Sequence, residues 1–156
     1  MKYSIKSVHS YTNLEFDKKI IYFQNNNRLG IYCWTNKINN KCYVGSAINL
    51  TKRIRCYYSL KFLQKTLLKN NSLIYSAILK YGYSNFSLDI LEYCSIEDLM
   101  EREQYYINNL NSKYNICKIA NSRLGTKQSI KTKTQINIKT RGKIMVILEK
   151  SQRRNN

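Results

Sequence analysis

Two short segments bring two phenols and two glycines into one predicted β-hairpin. The first segment is Gly30–Tyr32 and the second is Tyr43–Gly45, and ten residues separate them. The β-branched and aromatic residues around them predict two strands, and Asn39-Asn40 supplies residues that tolerate a tight turn. Because paired strands lie side by side, Tyr32 and Tyr43 are predicted to lie close together. Two such tyrosines can also serve packing alone, since tyrosine is a common strand residue.

The segment after the hairpin predicts a helix with an arginine at the border of its apolar face. Asn49 can cap this helix, and Ile54 and Tyr57 share its apolar face. Arg53 lies roughly 60° from that face at about 100° per residue, so it is predicted to line the edge of the core. Arg55 is predicted to project away from the core. A border arginine can also be an ordinary surface residue whose stem covers apolar groups.

A carboxylate falls within the apolar stripe of a third predicted element. Residues 95–110 predict one helix with a capping-box-like start at Ser95, and its apolar stripe is Ile96, Leu99, Met100, Ile107 and Leu110. Glu103 lies within roughly 60° of each of these side chains, whereas Glu101 points some 120° away. Because a buried carboxylate needs a partner, either a divalent cation or an arginine such as Arg53 is expected beside Glu103.

Five separated elements occur in the order found in the GIY-YIG nuclease family, which the chain resembles over roughly Leu29 to Ala120. They are Gly30-Ile31-Tyr32, Tyr43-Val44-Gly45-Ser46-Ala47, Arg53, Glu101-Arg102-Glu103 and Tyr114-Asn115-Ile116. Within the family, the chain resembles the homing endonucleases encoded in organellar and phage introns. The resemblance implies a site-specific, metal-dependent DNA endonuclease in which Asn115 orders the site. The catalytic residues it implies are Tyr32, Tyr43, Arg53, Tyr57, Glu103 and Asn115.

The resemblance also implies a chemical role for the other side chains of this set. Glu103 would hold one Mg²⁺ (or Mn²⁺), and Arg53 would stabilise the negative charge on the phosphate in the transition state. Tyr32 would orient or deprotonate the attacking water, although a phenol of pKa about 10 is a poor base at neutral pH without nearby cationic charge. Tyr43 and Tyr57 would hydrogen-bond the phosphate or the water. Some members of the family have histidine at the position of Tyr57.

The charge of the chain predicts a polyanionic partner. There are 27 Lys and Arg against nine Asp and Glu, which gives a net charge of +18. Double-stranded DNA is the expected partner, and the RNA of its own intron is the alternative. A membrane partner is not expected, since no apolar run approaches the roughly 20 residues of a span. Five cysteines without close metal-ligand spacing, and the single histidine His9, predict reduced thiols rather than a zinc site.

Basic residues are concentrated near the C-terminus. Residues 121–156 carry ten Lys or Arg against one acid, Glu149. Gly125–Lys133 and Lys139–Lys143 loosely resemble the nuclease-associated modular motif that lies along the DNA minor groove, although Ile130-Lys131 replaces an expected acidic pair. A basic tail without sequence preference is the alternative. The predicted DNA-contacting residues are Arg55, Lys127, Lys131, Lys133, Lys139, Arg141 and Lys143.

The predicted fold is α/β, with a small, mainly antiparallel β-sheet flanked by α-helices. A helix is predicted near Ser72–Lys80, and the alternation within Phe86–Ile90 predicts a strand with one buried face. The apolar run Lys19–Phe23 is interpreted as a strand. An N-terminal extension, the GIY-YIG-like catalytic domain and a basic DNA-binding tail are predicted at residues 1–29, 30–120 and 121–156.

The composition also bears on where the protein works. Lys, Asn, Ile and Tyr make up nearly half of the chain, and all four have A/T-rich codons. A fungal mitochondrial or other organellar intron is the expected origin, so a mitochondrial location is predicted, and a low-GC phage or bacterial cytoplasm is the alternative. Two other functions stay open, a noncatalytic RNA-binding splicing helper (maturase) and a repair or restriction nuclease. The sequence does not predict an oligomeric state.

Overall fold

A computed structural model describes residues 5–120 of the chain. Its strands are β1 (His9–Tyr11), β2 (Gly30–Asn36), β3 (Cys42–Ala47) and β4 (Phe86–Tyr93), and its helices are α1 (Lys18–Gln24), α2 (Leu50–Tyr57), α3 (Leu60–Leu67), α4 (Leu73–Tyr81) and α5 (Leu99–Asn109). A single-turn 3₁₀ helix, Tyr83–Asn85, precedes β4. Six of the predicted DNA-contacting residues lie outside the described residues, namely Lys127, Lys131, Lys133, Lys139, Arg141 and Lys143.

The four strands form one antiparallel sheet in the order β1-β4-β2-β3. Helices α1–α4 contribute to the core on one face of the sheet, and α5 packs on the other face. The central strand β2 is therefore covered on both sides, which explains why five consecutive residues from Gly30 onward are buried. The predicted small antiparallel sheet flanked by helices is confirmed. No helix within residues 5–120 is long and apolar enough to span a bilayer.

The hairpin β2–β3 brings the two tyrosines together on one face. Tyr32 pairs with Gly45, and Trp34 pairs with Tyr43, so the two tyrosines are diagonal neighbours. Their ring centroids are 6.4 Å apart. Asn40 takes the left-handed conformation in the turn, with φ 55°, which is the property expected of an Asn in a tight turn. The predicted pairing of the two tripeptides is therefore confirmed.

A bulge in β4 re-aims the end of that strand. Ile31 pairs with Glu92 and Tyr32 pairs with Ile90, so Leu91 is an extra residue between the two pairs. As a result Glu92 and Leu91 both lie on the α5 side of the sheet. There the Glu92 carboxylate accepts from Arg102 Nε at 2.8 Å and from the Tyr106 hydroxyl at 2.9 Å. This network anchors α5 to β4 beside the central strand.

Two sequence-based expectations about helices are wrong. Lys19–Phe23, interpreted as a strand, lies within helix α1. A short, mostly apolar run fits either a strand or a helix, and here the helix buries Ile21 in the core. In the helix predicted over residues 95–110, Ile96 and Met100 are expected on the apolar stripe, but they are 55% and 54% exposed. The helix begins only at Leu99, and its packed face is turned towards Tyr106 and Ile107, which are buried against the sheet.

Gly45 is a position at which one added methyl group should disturb the sheet. A Cβ atom at Gly45 would lie 2.6 Å from the Tyr32 hydroxyl and 2.9 Å from Cε1 of Tyr43. Because both neighbours belong to a packed aromatic cluster, we expect Gly45→Ala to lower the free energy of unfolding by about 1–3 kcal/mol in urea titrations. The control Ser84→Ala changes an exposed side chain. Equal unfolding midpoints for the two variants would contradict this close packing.

Candidate active site

The residues predicted to carry chemistry meet around the edge strand β3. Tyr43 lies on β3 itself, and Tyr32 lies on the neighbouring strand. Helix α2 brings Arg53 and Tyr57 to the same face of the sheet, whereas α5 brings Glu103 to β3 from the opposite face. The site is thus assembled from both helical layers, which meet at the β3 edge of the sheet.

Hydrogen bonds and ring contacts join the arginine to the tyrosines. Arg53 Nε donates to the Tyr32 hydroxyl at 3.0 Å, and that hydroxyl is 3.0 Å from the Tyr57 hydroxyl. The Arg53 guanidinium lies 5.3 Å from the centroid of the Tyr57 ring. The Tyr43 ring lies 6.4 Å from that of Tyr57. The guanidinium is therefore held through Nε, and its terminal nitrogens remain suited to binding an anion.

Burial sets the charge state of these groups. Tyr32 and Tyr57 are completely buried, and burial raises the pKa of each phenol even though Arg53 opposes the shift. Both phenols therefore remain neutral at physiological pH, and the Tyr32 hydroxyl accepts from Arg53 Nε. The phenol of Tyr32 raises the pKa of Arg53, so the guanidinium stays protonated. The charge of this cluster is that of one fixed cation.

Glu103 is the carboxylate of the site. It is half-buried, and the Ser46 hydroxyl donates to its Oε2 at 2.8 Å. Burial raises the pKa of Glu103, while the bond from Ser46 and the charge of Arg53 oppose that rise. Glu101, in contrast, is exposed on the far side of α5. Within residues 5–120, no three His, Cys, Asp or Glu side chains form a group that could hold a metal ion.

Asn115 lies at β3 but not among the phenols. Its amide nitrogen donates to the Val44 carbonyl at 2.8 Å, and its carbonyl oxygen accepts from the Val44 amide at 2.9 Å. The side chain thus occupies both backbone groups of an edge residue, as a neighbouring strand would. The adjacent Tyr114 amide also bonds β3, at the Cys42 carbonyl, at 3.0 Å. Asn115 fixes the strand that carries Tyr43.

Two residues at this site were not predicted. Ser46 contacts Glu103, and its position follows from strand alternation only once α5 is known to cover that face of the sheet. Tyr75 of α4 is buried with its ring 5.4 Å from that of Tyr57. Burial raises the pKa of the Tyr75 phenol, and the charge of Arg53 opposes that rise. The signal for Tyr75 was a phenol among the apolar residues of a predicted helix, a pattern that packing alone also produces.

The raised pKa of Glu103 predicts a pH-dependent cost in stability. A carboxyl group whose pKa is higher in the folded state than its ordinary 4.5 stabilises the fold below that pH, and this contribution is lost as the pH rises through the raised value. In chelator, we therefore expect Glu103→Gln to melt at a higher temperature than the parent protein at pH 7, with a smaller difference at pH 4. Glu101→Gln, an exposed control, should show no such dependence. A parent protein more stable than Glu103→Gln at pH 7 would contradict the inferred cost of burial.

Comparisons with known proteins find curated relatives of this chain. The chain is 34% identical over 109 residues to the Neurospora crassa protein named "Probable intron-encoded endonuclease 1", covering 64% of this chain and 34% of the relative. It is 35% identical over 107 residues to intron-associated endonuclease 1 of Enterobacteria phage T4, covering 62% and 38%. The chain thus spans little more than a third of the length of these curated relatives.

A solved structure and a family model also match this chain. The catalytic domain of homing endonuclease I-TevI is 35% identical, with a TM-score of 0.48, and the match covers 58% of this chain and 99% of that domain. Residues 28–115 match the GIY-YIG catalytic domain. This match includes β2, β3, β4 and all six predicted catalytic positions, Tyr32, Tyr43, Arg53, Tyr57, Glu103 and Asn115. The chain belongs to the GIY-YIG family.

Proposed function

We propose that this protein is a metal-dependent DNA endonuclease that hydrolyses phosphodiester bonds at a specific target site, as an intron-encoded homing endonuclease. The observation that carries the proposal is the meeting of Arg53 and Glu103 at β3 from opposite faces of the sheet. A protonated guanidinium and a carboxylate beside one edge strand can bind the two kinds of charge involved in phosphate hydrolysis, the anionic phosphate and a cation. The names of both curated relatives are in line with this function.

Double-stranded DNA is the proposed partner. The net charge of +18 favours a polyanion, and a phosphate backbone supplies most of the binding free energy of such complexes in a salt-dependent way. We propose that the protein acts in an organelle, most simply the mitochondrion, because its abundance of residues with A/T-rich codons suits an organellar intron. The RNA of that intron is the competing polyanion, against which DNA binding must be compared.

Glu103 is the residue proposed to hold a single Mg²⁺, or Mn²⁺ in its place. Mg²⁺ keeps several waters and takes one or two carboxylates together with phosphate oxygens of a substrate. A single half-buried carboxylate beside the Ser46 hydroxyl fits that preference, and Glu103 forms no ion pair with the described residues. When bound, the metal would neutralise developing charge on the leaving oxygen.

The remaining side chains divide into those that can touch a substrate and those that position them. Arg53 and Tyr43 are only partly buried, so they can contact the phosphate and the attacking water. Arg53 would stabilise the additional negative charge of the transition state. Tyr32 and Tyr57 are completely buried, so we propose that they orient Arg53. A neutral Tyr32 favours orientation of the water through this network over deprotonation of it.

Loss of the carboxylate should separate cleavage from binding. Glu103→Ala and Glu103→Gln should abolish cutting, because the proposed metal ligand is lost, while retaining DNA affinity in chelator. Cutting can be measured by sequencing the ends released from a pool of randomised duplexes in Mg²⁺. Glu101→Ala is the matched control on the exposed side of α5 and should cut normally. Equal losses from the changes at Glu103 and Glu101 would refute the assignment.

Loss of the guanidinium should affect the chemical step. Arg53→Ala should lower the cleavage rate on saturating DNA by on the order of a hundredfold or more, because it removes charge stabilisation in the transition state. Arg28→Ala, which removes an exposed arginine that lies over the Tyr93 ring and is not proposed to contact the reacting phosphate, is the control and should leave the rate unchanged. A parent protein that accelerates splicing of intron RNA but never cuts duplex DNA would instead support the maturase alternative.

A further inference from the structure

Acidic and basic residues are segregated between the two helical layers. From residue 18 to residue 88, a stretch that contains all of α1–α4, the chain has twelve Lys or Arg and no Asp or Glu. The six acids between residues 89 and 120 lie on β4, on α5 and in the segment joining them. One face of the sheet is therefore covered by helices whose charged side chains are all positive. A polyanion is favoured on that face and disfavoured on the α5 face.

Within the basic layer, α1 and α2 form a surface of cations set against tyrosine rings. We define the α1/α2 surface as Lys18, Lys19, Tyr22, Arg55 and Tyr58. The Arg55 guanidinium lies 4.9 Å from the Tyr22 centroid, and the Lys18 ammonium lies 5.1 Å from the Tyr58 centroid. The two rings meet edge to face at 6.1 Å. The three cations are exposed, and the one ion pair within residues 5–120 is between Arg102 and Glu92.

This surface is fixed relative to the candidate active site. The Thr51 hydroxyl of α2 donates to the Tyr22 carbonyl of α1 at 3.0 Å, and the Tyr58 hydroxyl donates to the Leu14 carbonyl at 2.7 Å. Helix α2 also carries Arg53, which faces the phenols. Helix α1 precedes residue 28, where the match to the family begins. Lys18, Lys19 and Tyr22 of the α1/α2 surface therefore lie outside the matched residues, whereas Arg55 and Tyr58 lie within them.

We propose that the α1/α2 surface binds phosphates of duplex DNA beside the position of cleavage. Arg53 and Arg55 are two residues apart, so their side chains leave α2 roughly 160° apart around its axis. A helix with its side chains is about 10–12 Å wide, close to the roughly 12 Å width of the major groove. One helix can thus place Arg53 at the phosphate to be cut and Arg55 near the backbone across a groove. The inference rests on the proposed endonuclease function for its choice of DNA as the polyanion.

The salt dependence of binding by the full chain tests this surface. In chelator, the double variant Lys18→Gln/Arg55→Gln should reduce the slope of log K against log salt on duplex DNA by about 0.9 for each phosphate that is no longer neutralised, or about 2 in total. The matched control Lys113→Gln/Lys118→Gln removes the same charge from the segment after α5 and should leave the slope unchanged. Melting temperatures of both variants show whether each remains folded. The single variants Lys18→Gln and Arg55→Gln should each reduce the slope by about 0.9.

The outcomes separate this surface from the endonuclease activity. Equal slopes for the parent protein and the double variant, or the same reduction in the control, would refute the proposal that the α1/α2 surface binds DNA phosphates. A reduced slope on an RNA duplex but not on DNA would also overturn it, and so would a parent protein that binds no duplex. If the slope falls as expected but the parent protein never cuts DNA in Mg²⁺, the surface stands and the endonuclease proposal fails. If the protein cuts DNA and the slopes are equal, the endonuclease proposal stands and the proposed role of the α1/α2 surface fails.

Discussion

The close approach of the Tyr32 phenol to the backbone of Gly45 is the constraint on which the candidate site depends. Because Gly45 has no side chain, the phenol can lie against β3, where it reaches both Arg53 and Tyr57. The same strand then presents Ser46 to the opposite face, where α5 supplies a carboxylate. The absence of a side chain at Gly45 thus lets groups from the α2 layer and from the α5 layer meet at the same strand, β3. The strand itself is held in place by Asn115.

The site combines burial with charge in a way that opposes stability. Burial keeps Tyr32 and Tyr57 neutral and raises the pKa of Glu103. For the phenols this is consistent with a supporting role, because the neutral Tyr32 hydroxyl accepts from Arg53 Nε and holds the guanidinium in one orientation. For Glu103 it means that the ionised carboxylate is partly desolvated and incompletely compensated by Ser46. Functional sites commonly keep such unfavourable local arrangements, which the rest of the fold must offset.

The distribution of charge over the fold relates the two layers to separate tasks. Helices α1–α4 carry positive side chains with no acid among them, which suits contact with a polyanion. The α5 layer carries the acids, and one of these, Glu92, is used internally to anchor Arg102 and Tyr106. Glu103 is the acid of this layer that contacts β3, at the edge that both layers share. Within residues 18–120, negative charge is therefore kept away from the basic face except at the point where a cation is proposed to bind.

Local patterns in the sequence determined the hairpin, helix α2 and the identity of the residues that could carry chemistry. Strand alternation, turn residues and helical spacing act over a few residues, so Tyr32 and Arg53 could be placed on their elements directly. Tertiary structure decided that Lys19–Phe23 is helical and that Ser46 meets Glu103, which is 57 residues away. It also decided that Asn115 bonds Val44 across 71 residues. Such contacts arise from packing between distant segments, and no local pattern of side chains specifies which of them will meet.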